Sequence, residues 1–106
     1  MTESMVNFTA QLFKAVSTPL RIRILNELRG DELTVSEIGA RLKVGLPSLS
    51  QQLSVLRAKN LVGTRKHGSN IFYSCKDKTI FRLLDVAKKI FDNHLVDVER
   101  TLREIR

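Results

Sequence analysis

The stretch Leu33-Thr-Val-Ser-Glu-Ile-Gly-Ala-Arg-Leu-Lys-Val-Gly-Leu-Pro-Ser-Leu-Ser-Gln-Gln-Leu-Ser-Val-Leu-Arg-Ala-Lys-Asn60 decides the fold. Thr34 to Glu37 has the spacing of a capping box, in which the threonine hydroxyl caps forward and the glutamate reaches back. The helix it opens is short, with Val35, Ile38 and Leu42 on one face, and Val44-Gly45 breaks it. Pro47 suits the first position of a second helix, whose cap is then Leu46, a poor capping residue. That helix carries Leu49, Leu53 and Leu56 at i, i+4 and i+7. Asn60 is a residue type that tolerates the left-handed conformation ending a helix. Two short helices joined by a tight, glycine-containing turn predict a helix-turn-helix over residues 34–60.

Downstream, Leu61 to Lys66 and Ile71 to Cys75 read as strands, joined by the turn His67-Gly68-Ser69-Asn70. A hairpin over residues 61–75, directly behind the second helix of such a unit, is a wing. Upstream, Val6, Phe8, Leu12, Phe13 and Val16 give a helix over residues 5–16. Thr18-Pro19 caps another, with Leu20, Ile24, Leu25 and Leu28 as its stripe and Gly30 as its end. Asp77 is the expected cap of the last helix, over residues 77–104. There Ile80, Leu83, Leu84, Ala87, Ile90, Phe91, His94, Val98, Leu102 and Ile105 recur at helical spacing. The predicted fold is mainly α with a small hairpin (α+β), in the order α-α-α-α-β-β-α. A helix of that length, about 40 Å at 1.5 Å per residue, has more apolar stripe than a domain of this size can cover. A second copy of the chain is the expected cover, through the first and last helices.

Charge is segregated along the same map. Residues 38–76 contain no Asp or Glu and seven basic residues: Arg41, Lys43, Arg57, Lys59, Arg65, Lys66 and Lys76. The segments on either side carry −1 and +1, so this block holds the chain's net +7. A basic surface without carboxylates is the electrostatic footprint of a nucleic-acid partner.

The totals set outer bounds. With 106 residues, 42% of them hydrophobic, the chain reads as one domain over residues 1–106 with a small core. No apolar run is long enough for a membrane span, and the first residues lack the layout of a signal peptide. A single cysteine, Cys75, fits a reducing compartment, so a cytoplasmic location is expected. No phosphate-binding glycine loop, nucleophile–base pair or carboxylate pair invites catalysis, and no cofactor is expected.

Several stretches together resemble the ArsR/SmtB family of bacterial winged-helix regulators. They are Phe13-Lys-Ala-Val-Ser-Thr-Pro-Leu-Arg-Ile-Arg-Ile-Leu25, Leu33-Thr-Val-Ser-Glu-Ile-Gly39, Leu49-Ser-Gln-Gln-Leu-Ser-Val-Leu-Arg57, Asn60-Leu-Val62 and Arg65-Lys-His-Gly-Ser-Asn-Ile-Phe-Tyr73. The resemblance covers about residues 8 to 100. It implies a homodimeric transcription factor on double-stranded DNA, usually a repressor that an inducer releases from its operator. Ser48, Ser50, Gln51 and Gln52 are then the base-reading candidates, since glutamine pairs with adenine edges and serine with several. Arg41, Lys43, Arg57 and Lys59 are the phosphate candidates. Arg65, Lys66, His67, Ser69 and Asn70 form the wing contact. The dimer interface falls on Phe8, Leu12, Leu84, Ala87, Phe91, His94 and Val98.

The sensor positions of that family depart from its pattern. Thr34-Val35-Ser36 stands where one metal site has two cysteines, and hydroxyls are poor ligands for soft or borderline metals. On the last helix Asp85-Val86-Ala87 lacks the first histidine of the other site, although His94 and Asp97 keep an i, i+3 pair. His94 reads as an interface histidine, His67 as a wing residue and Cys75 as a small strand hydrophobe. No metal is expected, and the inducer is unknown. Two alternatives stay open: a metal response through a non-standard site around His94 and Asp97, and a winged-helix module that docks proteins.

Overall fold

Thr34 caps its helix as the spacing requires. Its hydroxyl accepts from the Glu37 N–H at 3.2 Å, and the Glu37 carboxylate accepts from the Thr34 N–H at 3.0 Å. In this computed structural model, which describes residues 1–105, the order is α1 (Glu3–Ala15), α2 (Pro19–Glu27), β1 (Leu33–Thr34), α3 (Val35–Leu42), α4 (Leu46–Ala58), β2 (Val62–His67), β3 (Asn70–Cys75) and α5 (Ile80–Ile105). Thr2 and Thr18 cap α1 and α2 by accepting from Met5 N–H and Arg21 N–H. Helices α3 and α4 with their turn form the helix-turn-helix, and β2–β3 the wing.

Four expectations need correction. A third strand, β1, pairs antiparallel with β3 (Leu33 with Tyr73, Thr34 with Phe72), so the sheet order is β1-β3-β2. Two residues carry no periodicity, and their pairing partner lies far along the chain. The break after α3 is made by Lys43, in the left-handed conformation at φ 57, rather than by Val44-Gly45. The cap of α4 is Gly45, not Leu46; it has no side-chain cap bond, and Pro47 takes the second helical position. Finally, α5 starts at Ile80. Asp77 turns the chain just ahead of it, its carboxylate accepting from Thr79 N–H at 2.9 Å. Asn60 (φ 60) is left-handed as expected, and so is Gly68 (φ 62) at the wing tip.

The core joins every element of the winged-helix unit. Ile24, Leu25 and Leu28 of the α2 region meet Leu33, Ile38, Leu49, Leu53, Leu56, Val62, Cys75 and Ile80. Ile24, Leu25, Ile38, Leu49, Leu53 and Leu56 are completely buried. Thus α4 is seated by the stripe its spacing announced, and its outer face is fixed by that seating. From α5, Ile80, Phe81, Leu83 and Leu84 join or flank this core, and among the described residues no later hydrophobic one does. Arg29 fastens the junction, with a 2.9 Å ion pair to Asp85 and its guanidinium 5.3 Å from the centre of the Phe81 ring. Residues 85–105 run on as helix, which accounts for a longest dimension of 62 Å against 38 and 22 Å.

Candidate nucleic-acid interface

Successive residues of an α-helix are turned by about 100°. With Leu49, Leu53 and Leu56 inward, Gln51 and Ala58 point nearly straight out, flanked by Pro47, Ser50 and Ser54. Ser48, Ser50, Gln51 and Ser54 are exposed. Together they form a polar, uncharged strip on a helix otherwise held by its leucines. Ser54 was missed in the sequence; the signal was its i+4 spacing from Ser50.

Gln52 is placed differently. It is half-buried on the flank of α4 that faces α2, and its Oε1 accepts from Arg21 Nε at 2.8 Å. The same guanidinium donates from Nη1 to the Ala15 carbonyl at 3.0 Å. Arg21 therefore ties the last turn of α1 to the middle of α4. The carbonyl of the Gln52 amide already has a donor, whereas Gln51 keeps its whole amide outward.

The basic candidates fall into two groups. Lys43, Arg57 and Lys59 are exposed at helix ends: Lys43 caps α3, Arg57 lies in the last turn of α4, and Lys59 is its C-cap. Lys66, His67, Ser69 and Asn70 are exposed on the wing around its tip. Arg41 and Arg65 instead meet acids from outside the basic block. Arg41 lies 3.7 Å from Glu27. Arg65 grips both oxygens of Glu32 and lies over Phe72, 4.9 Å from its ring centre. The Arg65 hydrogen bond, above all, holds the Glu32 carboxyl below its usual range, and that of Glu32 raises the Arg65 guanidinium further. Both groups stay charged at neutral pH. Because the folded pKa of Glu32 is depressed, whatever this pair adds to stability is present at neutral pH and is lost as pH falls through the lowered value.

Cys75 is buried on the inner face of the sheet, with Sγ 3.3 Å from the Asp77 carbonyl. Burial pushes its thiol up, which keeps it protonated and a poor nucleophile at neutral pH.

A second, apolar surface lies along α1 and α5. Phe8 (69% exposed), Ile90 (64%) and Phe91 (58%) stand in water, with Val98, Leu95, Leu102 and Ile105 also exposed along α5. Of the predicted interface residues, Ala87 and His94 are exposed as well. Leu12 and Leu84 are half-buried against the chain's own core. Phe8 and Leu12 also line an apolar recess of about 470 Å³ between α1, Leu61 and the start of α5.

Residues 18–64 match the family described as bacterial regulatory protein, arsR family. An uncharacterized HTH-type transcriptional regulator of Mycobacterium tuberculosis is 37% identical over 107 residues, covering 99% of this chain and 93% of that one. The chain belongs to the ArsR family. The crystal structure of that mycobacterial protein superposes with a TM-score of 0.79 at 35% identity, over 91% of this chain and 97% of that one. The transcriptional repressor BigR from Xylella fastidiosa gives 0.78 at 35% identity, over 86% and 97%. A transcriptional repressor SmtB homolog of Synechocystis is 36% identical over 74 residues, covering 70% of this chain and 56% of that relative.

The Thr34 hydroxyl and the Glu37 carboxylate are engaged in capping. Asp85 is held by Arg29. His94 and Asp97 line a shallow groove with Val98, Thr101 and Leu102 on the exposed stretch of α5. Among the described residues, no three His, Cys, Asp or Glu side chains stand close enough to hold a metal ion. No helix described is long and apolar enough to cross a membrane.

Proposed function

We propose that this ArsR-family chain is a homodimeric, sequence-specific regulator of transcription. In this reading it is a repressor that lays α4 in the major groove of double-stranded DNA and the wing beside the minor groove. The observation that carries this is α4 itself: a helix seated by three buried leucines that turns serines and Gln51 outward, inside a block with no acid of its own. Neutral hydrogen-bonding side chains on the groove face read base edges, and cations at the helix ends and on the wing take phosphates. That the transcriptional repressor BigR shares the fold supports repression as the direction.

The dimer rests on the free stretch of α5, residues 85–105. The apolar stripe along residues 85–105 stands in water outside the chain's own core, and most helical stability in proteins comes from packing an apolar face rather than from propensity. A two-fold partner covers the stripe with its own and turns two α4 helices toward one face of a duplex. Half-sites are then expected as an inverted repeat, about one helical turn apart. Selection from a pool of randomised duplexes tests this. An enriched inverted repeat is the expected result; a pool that stays random through successive rounds contradicts the proposal.

A further inference from the structure

The basic block holds seven cations by sequence, yet two of them meet carboxylates supplied from just upstream of it, Glu27 and Glu32. The Glu32 contact is the more complete. Arg65 lies on β2, opposite Phe72 of the central strand β3, and Phe72 is in turn opposite Thr34 of β1. Cross-strand partners share a face. The Arg65 side chain therefore crosses all three strands, passing over the Phe72 ring to reach Glu32 at the foot of β1. Its Nε lies 3.1 and 3.2 Å from the two carboxylate oxygens, and Nη2 bonds one of them as well. This planar, two-pronged grip is the geometry by which a guanidinium takes a phosphate. The ring beneath holds the group flat and covers one of its faces.

We propose that Glu32 stands in for phosphate at Arg65, so that Arg65 braces the wing against β1 and makes no bond to DNA, while Lys66 and the wing tip carry the wing's phosphate contacts. The inference rests on the DNA-binding reading. Arg65 is then a positioning residue, and Glu32 limits the non-specific affinity of the wing. A carboxylate here lowers attraction for every duplex equally, so it weakens binding overall and leaves the preference among sequences to α4.

The test is the salt dependence of binding to a labelled random-sequence duplex, where phosphate contacts supply essentially all the affinity. Each phosphate neutralised adds about 0.9 to the slope of log K against log salt. Arg65→Gln is expected to leave the slope unchanged. Glu32→Gln frees the guanidinium and is expected to steepen the slope by about 0.9 per subunit, with tighter binding at low salt. The double variant is expected to return to the parent slope. A purely structural role would instead weaken binding in both single variants. Arg65→Met, which keeps the stem on Phe72, guards against loss of the wing, and thermal melts confirm folding. A slope that falls by about 0.9 per subunit in Arg65→Gln, or one that Glu32→Gln leaves unmoved, overturns the inference alone. Absence of wild-type binding to any duplex, selected or random, overturns the DNA-binding reading with it.

Discussion

Phe91→Glu is expected to convert the protein to a monomer and to lower operator affinity by two or more orders of magnitude. Phe91 is 58% exposed in the isolated chain and lies in the middle of the free stretch of α5. In a two-fold interface the substitution buries two carboxylates, one from each copy, against an apolar partner face. An uncompensated buried charge costs about 3–5 kcal/mol, and here it enters twice. Losing the dimer also makes binding at the two half-sites independent, and linked binding commonly contributes about 10²–10⁴ in affinity. Sedimentation equilibrium reads the first effect, as a shift toward the 12.1 kDa chain mass. Anisotropy on the selected operator reads the second. The helical signal should fall too, because residues 85–105 lose what holds them. A variant that stays dimeric and binds normally would place the subunit interface elsewhere.

Leu53→Ala is expected to cost about 2–5 kcal/mol of stability, the range for deleting a buried leucine. Leu53 is completely buried between Leu49 and Leu56 and seats α4 on the core. Small domains have only about 5–15 kcal/mol in total, so the variant should unfold at much lower urea and bind DNA weakly through loss of the folded form. Gln51→Ala makes the contrast. Two residues away but outward, it is expected to change stability by less than about 0.5 kcal/mol. It should nonetheless weaken operator binding by about 1–3 kcal/mol for each base pair that Gln51 reads. Urea titration and anisotropy on both variants separate the seat of α4 from its reading face. Equal stability losses in the two would contradict this assignment of faces.

What the sequence showed and what it hid follow from the range of the interactions. The helices of the winged unit were legible because periodicity and caps are local: Thr34 and Glu37 are three residues apart, and Leu49, Leu53 and Leu56 lie within two turns. The unpartnered stripe of α5 was visible for the same reason. Strand β1 was hidden because two residues make no pattern and its partners, Phe72 and Tyr73, are far along the chain. The cap of α4 was misplaced because Gly45 caps through backbone conformation alone. The largest revisions to the candidate site come from pairings between distant residues. Arg21 meets Gln52 across 31 positions, and Arg65 meets Glu32 across 33. Counting charges or exposed polar types along the chain detects neither. The sequence therefore overstated both the free cations and the free glutamines on this surface.

In the proposed function the outward face of α4 reads DNA sequence. The most direct test of this is anisotropy at physiological salt, comparing DNA from the protein's own upstream region with a scrambled duplex of equal length and composition, for wild type and Ser50→Ala/Gln51→Ala. Wild type is expected to prefer the upstream duplex by at least about 10³. The double variant should bind both at the weaker level while melting at the wild-type temperature. Equal wild-type binding to the two duplexes, or a preference that survives the double substitution, would contradict that role for α4.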